Sequence, residues 1–242
     1  MHRFIEAAVD GRAGGRSGFL RGARDIAPIV VATIPFGVVF GALSAHSGLS
    51  LVESTAMSAV TFAGASQFAA LELWTHPLPF LAILLSVMAV NLRILLYSAA
   101  LARRIEHWPP LVRYTGLGFL TDPIYALAEL HGGARLSAAY YFGLSLPLYL
   151  NWIATTALGF VLGNVVADPR AIGLDFVVIA YFIHLLGGFR KRPNALAVIG
   201  ASAAGSVLVW LTAGAPWHFA GGAAAGMLIA VLVTPGKRAA AA

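Results

Sequence analysis

The sequence predicts an all-α, polytopic integral membrane bundle with about eight membrane segments, two of which read equally well as re-entrant. Three observations carry that prediction. Of 242 residues, 59% are apolar and only 11% are charged, whereas a soluble domain carries about 25% charged residues. The mean hydropathy is +0.82. The apolar residues gather in runs close to the ~20 that a helix needs to cross hydrocarbon.

The runs fall at roughly 26–46, 51–72, 79–101, 113–130, 138–163, 171–189, 194–214 and 217–234. They define a membrane domain over 26–234, between a basic N-terminal arm (1–25) and a short C-terminal tail (235–242). The arm carries Arg3, Arg12, Arg16, Arg21 and Arg24 but no compact apolar stretch followed by a small-residue cleavage site, so it reads as cytoplasmic rather than as a cleaved signal. A short amphipathic helix on the membrane surface is expected around Ser17–Asp25.

Two runs differ from the rest. Segment 51–72 is rich in Ala, Ser, Thr and Gly and carries Glu53, Gln67 and Glu72; segment 113–130 is broken at Thr121-Asp122-Pro123 and ends at Glu129. Carboxylates facing lipid cost several kcal/mol, roughly, so both segments belong inside the bundle.

Charge bias bears on how they run, because Lys and Arg favour the cytoplasmic side. If every segment crosses with the N-terminus inside, Arg103, Arg104, Arg113 and Arg170 fall outside. If 51–72 and 113–130 are both re-entrant, Arg170 alone falls outside. Making just one of them re-entrant exports the Arg190-Lys191-Arg192 cluster, which is worse. Either favoured arrangement leaves both termini cytoplasmic, in the cell (inner or plasma) membrane.

Pro35, Pro123 and Pro147 lie within apolar segments and each removes a backbone donor. Small-xxx-small pairs at Gly37–Gly41, Gly159–Gly163 and Gly222–Gly226 permit close helix approach, although Gly and Pro are also simply common in membrane helices.

Arg93 is the least expected residue. It lies within Val90-Asn91-Leu92-Arg93-Ile94-Leu95-Leu96-Tyr97, where a guanidinium must snorkel, pair or line water. It reads either as a snorkelling cation or as an anion contact, for a substrate carboxylate or for Asp122. Asp122, beside a helix break, suits proton uptake and release; capping the broken helix or neutralising Arg93 explains it as well. Phe62-Ala63-Gly64-Ala65-Ser66-Gln67-Phe68 suits a turn facing a ligand, or tight packing. Asn91, Asn151 and His184 read first as interhelical hydrogen bonders.

Several chemistries find no support in the sequence. Cysteines number zero, which excludes disulfides and thiolate chemistry. The chain holds no Gly-x-x-x-x-Gly-Lys-Ser/Thr motif and no His-Glu-x-x-His, so neither ATP hydrolysis by that route nor a metal site is expected. A Ser66–His184 nucleophile pair lacks any supporting signal. No cofactor and no nucleic-acid partner is expected, and enzymatic activity is not.

Four blocks resemble the AzlC family of branched-chain amino acid permeases, the LIV-E exporters. They are Gly18-Phe19…Pro28…Pro35-Phe36-Gly37…Gly41, then Phe62-Ala63-Gly64-Ala65-Ser66-Gln67-Phe68, then Asn91-Leu92-Arg93…Tyr97-Ser98, then Leu120-Thr121-Asp122. The resemblance covers about the first 130 residues. It implies the large subunit of a proton-coupled exporter of branched-chain amino acids that works with a small membrane partner of the AzlD type; the sequence leaves the oligomeric state open, a homo-oligomer included. Carried over by position, it puts Gly64, Ser66, Gln67, Asn91 and Arg93 along the substrate path, with Asp122 coupling protons. Phe36, Phe62 and Phe68 would then receive the aliphatic side chain. The competing reading is a non-transporting membrane subunit that scaffolds a complex.

Overall fold

The computed structural model describes residues 15–163, 183, 194–214 and 217–233. Segment 171–189, Arg170, the Arg190-Lys191-Arg192 cluster, His184 and the C-terminal tail therefore lie outside the described residues, apart from position 183. The described chain is helical: α1 (Gly15–His46), α2 (Leu51–Thr61), α3 (Gly64–Glu72), α4 (Phe80–Ile105), α5 (Pro110–Gly118), α6 (Asp122–His131), α7 (Ala138–Gly163), α8 (Ala195–Ala213) and α9 (Trp217–Val233). Four of these, α1, α4, α7 and α8, are long and apolar enough to cross a membrane. Two of the eight predicted segments are each broken into a pair of short helices. The described residues form two compact units, one from 15–67 and 91–163, the other from 68–90, 194–214 and 217–233.

The first unit is built on α1 and α7, which lie side by side and run parallel. Small residues set the approach. A Cβ on Gly22 would sit 2.2 Å from the Tyr140 carbonyl oxygen, and one on Gly159 would sit 2.0 Å from that of Val38. Further along, Gly163 meets Ala42. Residue numbers rise together on both helices, which fixes the parallel sense. Asn151 Nδ2 donates to the Val30 carbonyl and to Thr33 Oγ1, each at 3.3 Å, so it serves as an interhelical tie.

The same packing corrects the expected surface helix. Residues 17–25 are the first turns of the 32-residue α1. Gly18 and Gly22 are buried there, Tyr140 donates to Asp25 Oδ2 at 2.8 Å, and Arg21 lies 4.7 Å over the Tyr140 ring. A helix whose small residues meet another helix has no reason to lie separately on lipid.

Segment 51–72 starts with a capping box: Ser50 and Glu53 satisfy each other's backbone N–H groups. Ser54 then bonds Ser44 at 2.8 Å, and Ser58 bonds Thr156 at 2.8 Å. The helix stops at Phe62, whose φ of 39° and ψ of 43° are left-handed, a conformation costing about 1–2 kcal/mol for a residue with a Cβ. Beyond it, Gln67 Nε2 donates to Ser58 Oγ at 3.0 Å. Nine residues of continuous helix would separate that pair by about 13–14 Å along the axis. The chain therefore folds back at Phe62-Ala63.

Segment 113–130 does the same from the other end of the unit. Going in, Gly116 lies under the Trp108 ring, and its carbonyl accepts from Tyr141 at 2.9 Å. At the turn, Phe119 meets Tyr149 edge-on at 5.0 Å. Coming back, α6 starts with Asp122 beside Arg93 and Tyr97 and ends with Ala128, Glu129 and Gly133 held by Arg104. The tips of the two hairpins meet, with the Phe62 and Phe119 rings 6.2 Å apart.

In the second unit α8 and α9 form an antiparallel pair. Gly205 faces Ala225, Gly226 faces Ser202, and Asn194 Nδ2 reaches the Val233 carbonyl at 2.8 Å. Their outward leucines and valines are exposed, as lipid-facing side chains are.

Candidate functional site

Both breaks open onto one cavity of about 400 Å³, within the range of small-molecule sites. Thr61, Phe62 and Ala63 line it from the first tip, Leu117, Gly118 and Leu120 from the second. The remaining wall is one face of α4: Asn91, Ile94, Leu95 and Ser98, at the i, i+3, i+4, i+7 spacing of a helix face. Discontinuous helices leave backbone groups unspent at their broken ends, and such backbone is tolerated at membrane depth only where protein or a cavity surrounds it.

The neighbouring face of α4 carries charge. Arg93 Nη1 lies 3.1 Å from Asp122 Oδ2, with the two side chains 34% and 38% exposed. Tyr97, one turn on, donates to Asp122 Oδ1 at 2.9 Å and stacks on Tyr125 with ring centroids 4.3 Å apart. Arg93 Nε and Thr121 Oγ1 are buried without a hydrogen-bond partner among the described residues. Arg93 therefore pairs rather than simply snorkelling, and Asp122 takes two contacts from α4 while Thr121 leaves the start of α6 without a side-chain cap.

The remaining predicted residues divide. Ser66 Oγ donates to Asn91 Oδ1 at 2.9 Å, which leaves the two amide N–H donors of Asn91 for a ligand. Gln67 is fully buried, accepts from Trp152 Nε1 at 2.8 Å and donates to Ser58, so its polar atoms point into the protein. A Cβ on Gly64 would meet Trp152 at 2.9 Å and Phe36 at 3.0 Å; this glycine admits the indole. Phe62 lines the cavity, Phe36 packs on Trp152 at 5.5 Å, and Phe68 falls in the other unit. Sequence reasoning assigned no role to Trp152, Ser58, Thr156 or Tyr149, and Tyr97 entered only through the resemblance. The i, i+4 spacing from Arg93 was the available signal for Tyr97; nothing in the sequence brings Trp152 to Gln67.

Residues 28–166, which include both breaks and the charged cluster, match the family described as AzlC protein. The chain belongs to the AzlC family. Curated relatives agree. An uncharacterized membrane protein of Archaeoglobus fulgidus is 33% identical over 73% of this chain and 78% of the relative. Inner membrane protein YgaZ of Escherichia coli is 28% identical over 81% and 83%. The branched-chain amino acid transport protein AzlC of Bacillus subtilis is 26% identical over 75% and 73%. No solved structure matches. This AzlC-family chain is thus a membrane protein of a transport family, and its two broken helices lie within the matched region.

Proposed function

We propose that this protein exports branched-chain amino acids across the cytoplasmic membrane, coupled to protons, as the large subunit beside a small AzlD-type partner, with both termini cytoplasmic. The observation that carries the reading is the cavity between two oppositely directed hairpin tips, with an ion pair whose members lie one residue from Ile94 and two from Leu120 in its wall. Broken helices around a central site are the usual construction of alternating-access transporters. Substrate class follows the name of the Bacillus subtilis relative, and outward direction follows the resemblance to LIV-E exporters. Phe62, Ile94, Leu117 and Leu120 suit an aliphatic side chain; Asn91 and Arg93 supply donors for a carboxylate; Asp122 carries the proton.

In this reading 51–72 and 113–130 re-enter from opposite faces. Two membrane-crossing helices packed parallel, as α1 and α7 are, need an odd number of crossings between them. Hence both intervening broken segments cross or neither does, and the fold-back at Phe62-Ala63 favours neither. An accessibility tag placed after Leu73 is expected on the outside; a cytoplasmic tag rules the arrangement out.

Function is tested by efflux from cells loaded with valine-, isoleucine- or methionine-containing dipeptides. Cells expressing the chain and its partner should release one of these amino acids faster than cells lacking both, and collapse of the proton gradient should abolish the difference. Unchanged efflux with both proteins in the membrane rejects the assignment in favour of a scaffold.

A further inference from the structure

Arg93 has five N–H donors, and its Nη1 forms an ion pair with Asp122 Oδ2 at 3.1 Å. Its buried Nε has no partner among the described residues. Leaving a buried donor unmade costs free energy that a bound acceptor would recover. Asp122 is likewise held by few contacts: one from Arg93 and one from the Tyr97 hydroxyl. Thr121 Oγ1, next in sequence, is buried and also unpartnered. The pair is thus single-contact, about one-third exposed and bordered by unspent hydrogen-bonding groups. Leu120, two residues before Asp122, and Ile94, next to Arg93, line the cavity.

We infer that the Arg93–Asp122 pair is the recognition element for a zwitterion: an α-amino acid inserts between the two side chains, its carboxylate on Arg93 and its ammonium on Asp122, with its side chain in the cavity. This deepens the transport reading above and rests on it.

Charge balances at each stage. The closed pair and the free amino acid are each neutral, so insertion replaces one ion pair with two and adds no net charge to a low-dielectric site. A proton on Asp122 removes the ammonium's partner and leaves Arg93 cationic. Ammonium and proton therefore exclude each other at Asp122, which gives exchange of one for the other. Among the described residues, the charged and titratable groups on Asp122 are Arg93 and Tyr97 from α4, with Tyr125 of α6 stacked on Tyr97; neither tyrosine supplies a second carboxylate to hold the ammonium instead.

The same geometry predicts an inversion of ligand preference. With Asp122 ionised, a zwitterion binds better than either half-charged analogue. With Asp122 neutral, Arg93 favours an anion that lacks the ammonium.

The test is ligand binding to the purified full chain with its partner, reconstituted in lipid. The probes are valine, α-ketoisovalerate (no ammonium) and valinamide (no carboxylate). Wild-type protein should bind valine at least about tenfold more tightly than either analogue, the ratio for about 1.4 kcal/mol. In Asp122→Asn valine should weaken at least about tenfold and α-ketoisovalerate should equal or exceed it. Should that variant fail to fold, the wild type alone decides: on acidification valine binding falls while α-ketoisovalerate binding rises. Equal binding of valine and α-ketoisovalerate at neutral pH, or valine binding independent of pH, overturns the inference while leaving the transport reading standing. Absence of binding by any branched-chain amino acid overturns the transport reading, and this inference with it.

Discussion

The two hairpin tips face the same cavity but are held in opposite ways. The first is neutral and saturated: Gln67 bonds Ser58 and Trp152, Ser58 bonds Thr156, and Gln67, Ser58 and Thr156 are fully buried. The second is charged and half-open: Asp122 holds Arg93 and Tyr97 at its edge, with Arg93 Nε and Thr121 Oγ1 unspent. Buried polar networks that are fully satisfied specify one arrangement. Partly solvated charge pairs contribute less and rearrange at smaller cost. The first tip therefore reads as the fixed wall of the site, and the second as the wall whose contacts exchange.

The sharpest way to break this comparison is a double-mutant cycle on Arg93 and Asp122, read as transport per folded molecule. Arg93→Gln and Asp122→Asn should each lower the rate roughly 30-fold or more, equivalent to the about 2 kcal/mol at the low end for truncating one member of a close charge pair. The low end applies because each side chain is about one-third exposed. The double variant should be no worse than the poorer single one, because residues that act as a unit are not additive. Multiplying effects would show that the two act independently.

Gln67→Leu tests the other tip. It leaves the Trp152 indole N–H and the Ser58 hydroxyl short of a partner, at a cost of about 1–3 kcal/mol, seen as a lower melting temperature. Transport per folded molecule should stay near wild type. A loss of rate without loss of stability would move Gln67 from the wall to the ligand.

How far the sequence revealed this division depends on the range of the interaction. α7 lies at 138–163 as its apolar run predicts, because length and hydropathy alone define a spanning helix. The two unusual segments were legible as broken from their polar and small residues, and Arg93 with Asp122 stood out because charge is costly there. The first turns of α1 were misread as a surface helix, since arginines at 16, 21 and 24 suggest an interface while Gly22 reveals its use only against Tyr140 and Gly143. Gln67 read as a ligand donor because its partner Trp152 lies 85 residues away. Such pairings come from tertiary packing, which leaves no periodic trace.

The smallest expected effect belongs to Tyr97. Tyr97→Phe keeps the ring stacked on Tyr125 and removes only the hydroxyl that donates to Asp122 Oδ1. A net hydrogen bond to a charged group is worth about 1.5–3 kcal/mol, and a neutral one about 0.5–1.5; partial solvation at Asp122 favours the lower figure, so transport should fall only about two- to tenfold. The informative readout is stability. Because the ring stack on Tyr125 remains, the melting temperature of Tyr97→Phe should stay near wild type while the rate falls. A loss of melting temperature that matches the loss of rate would make Tyr97 a packing residue and leave Arg93 as the α4 side chain that serves Asp122 in transport.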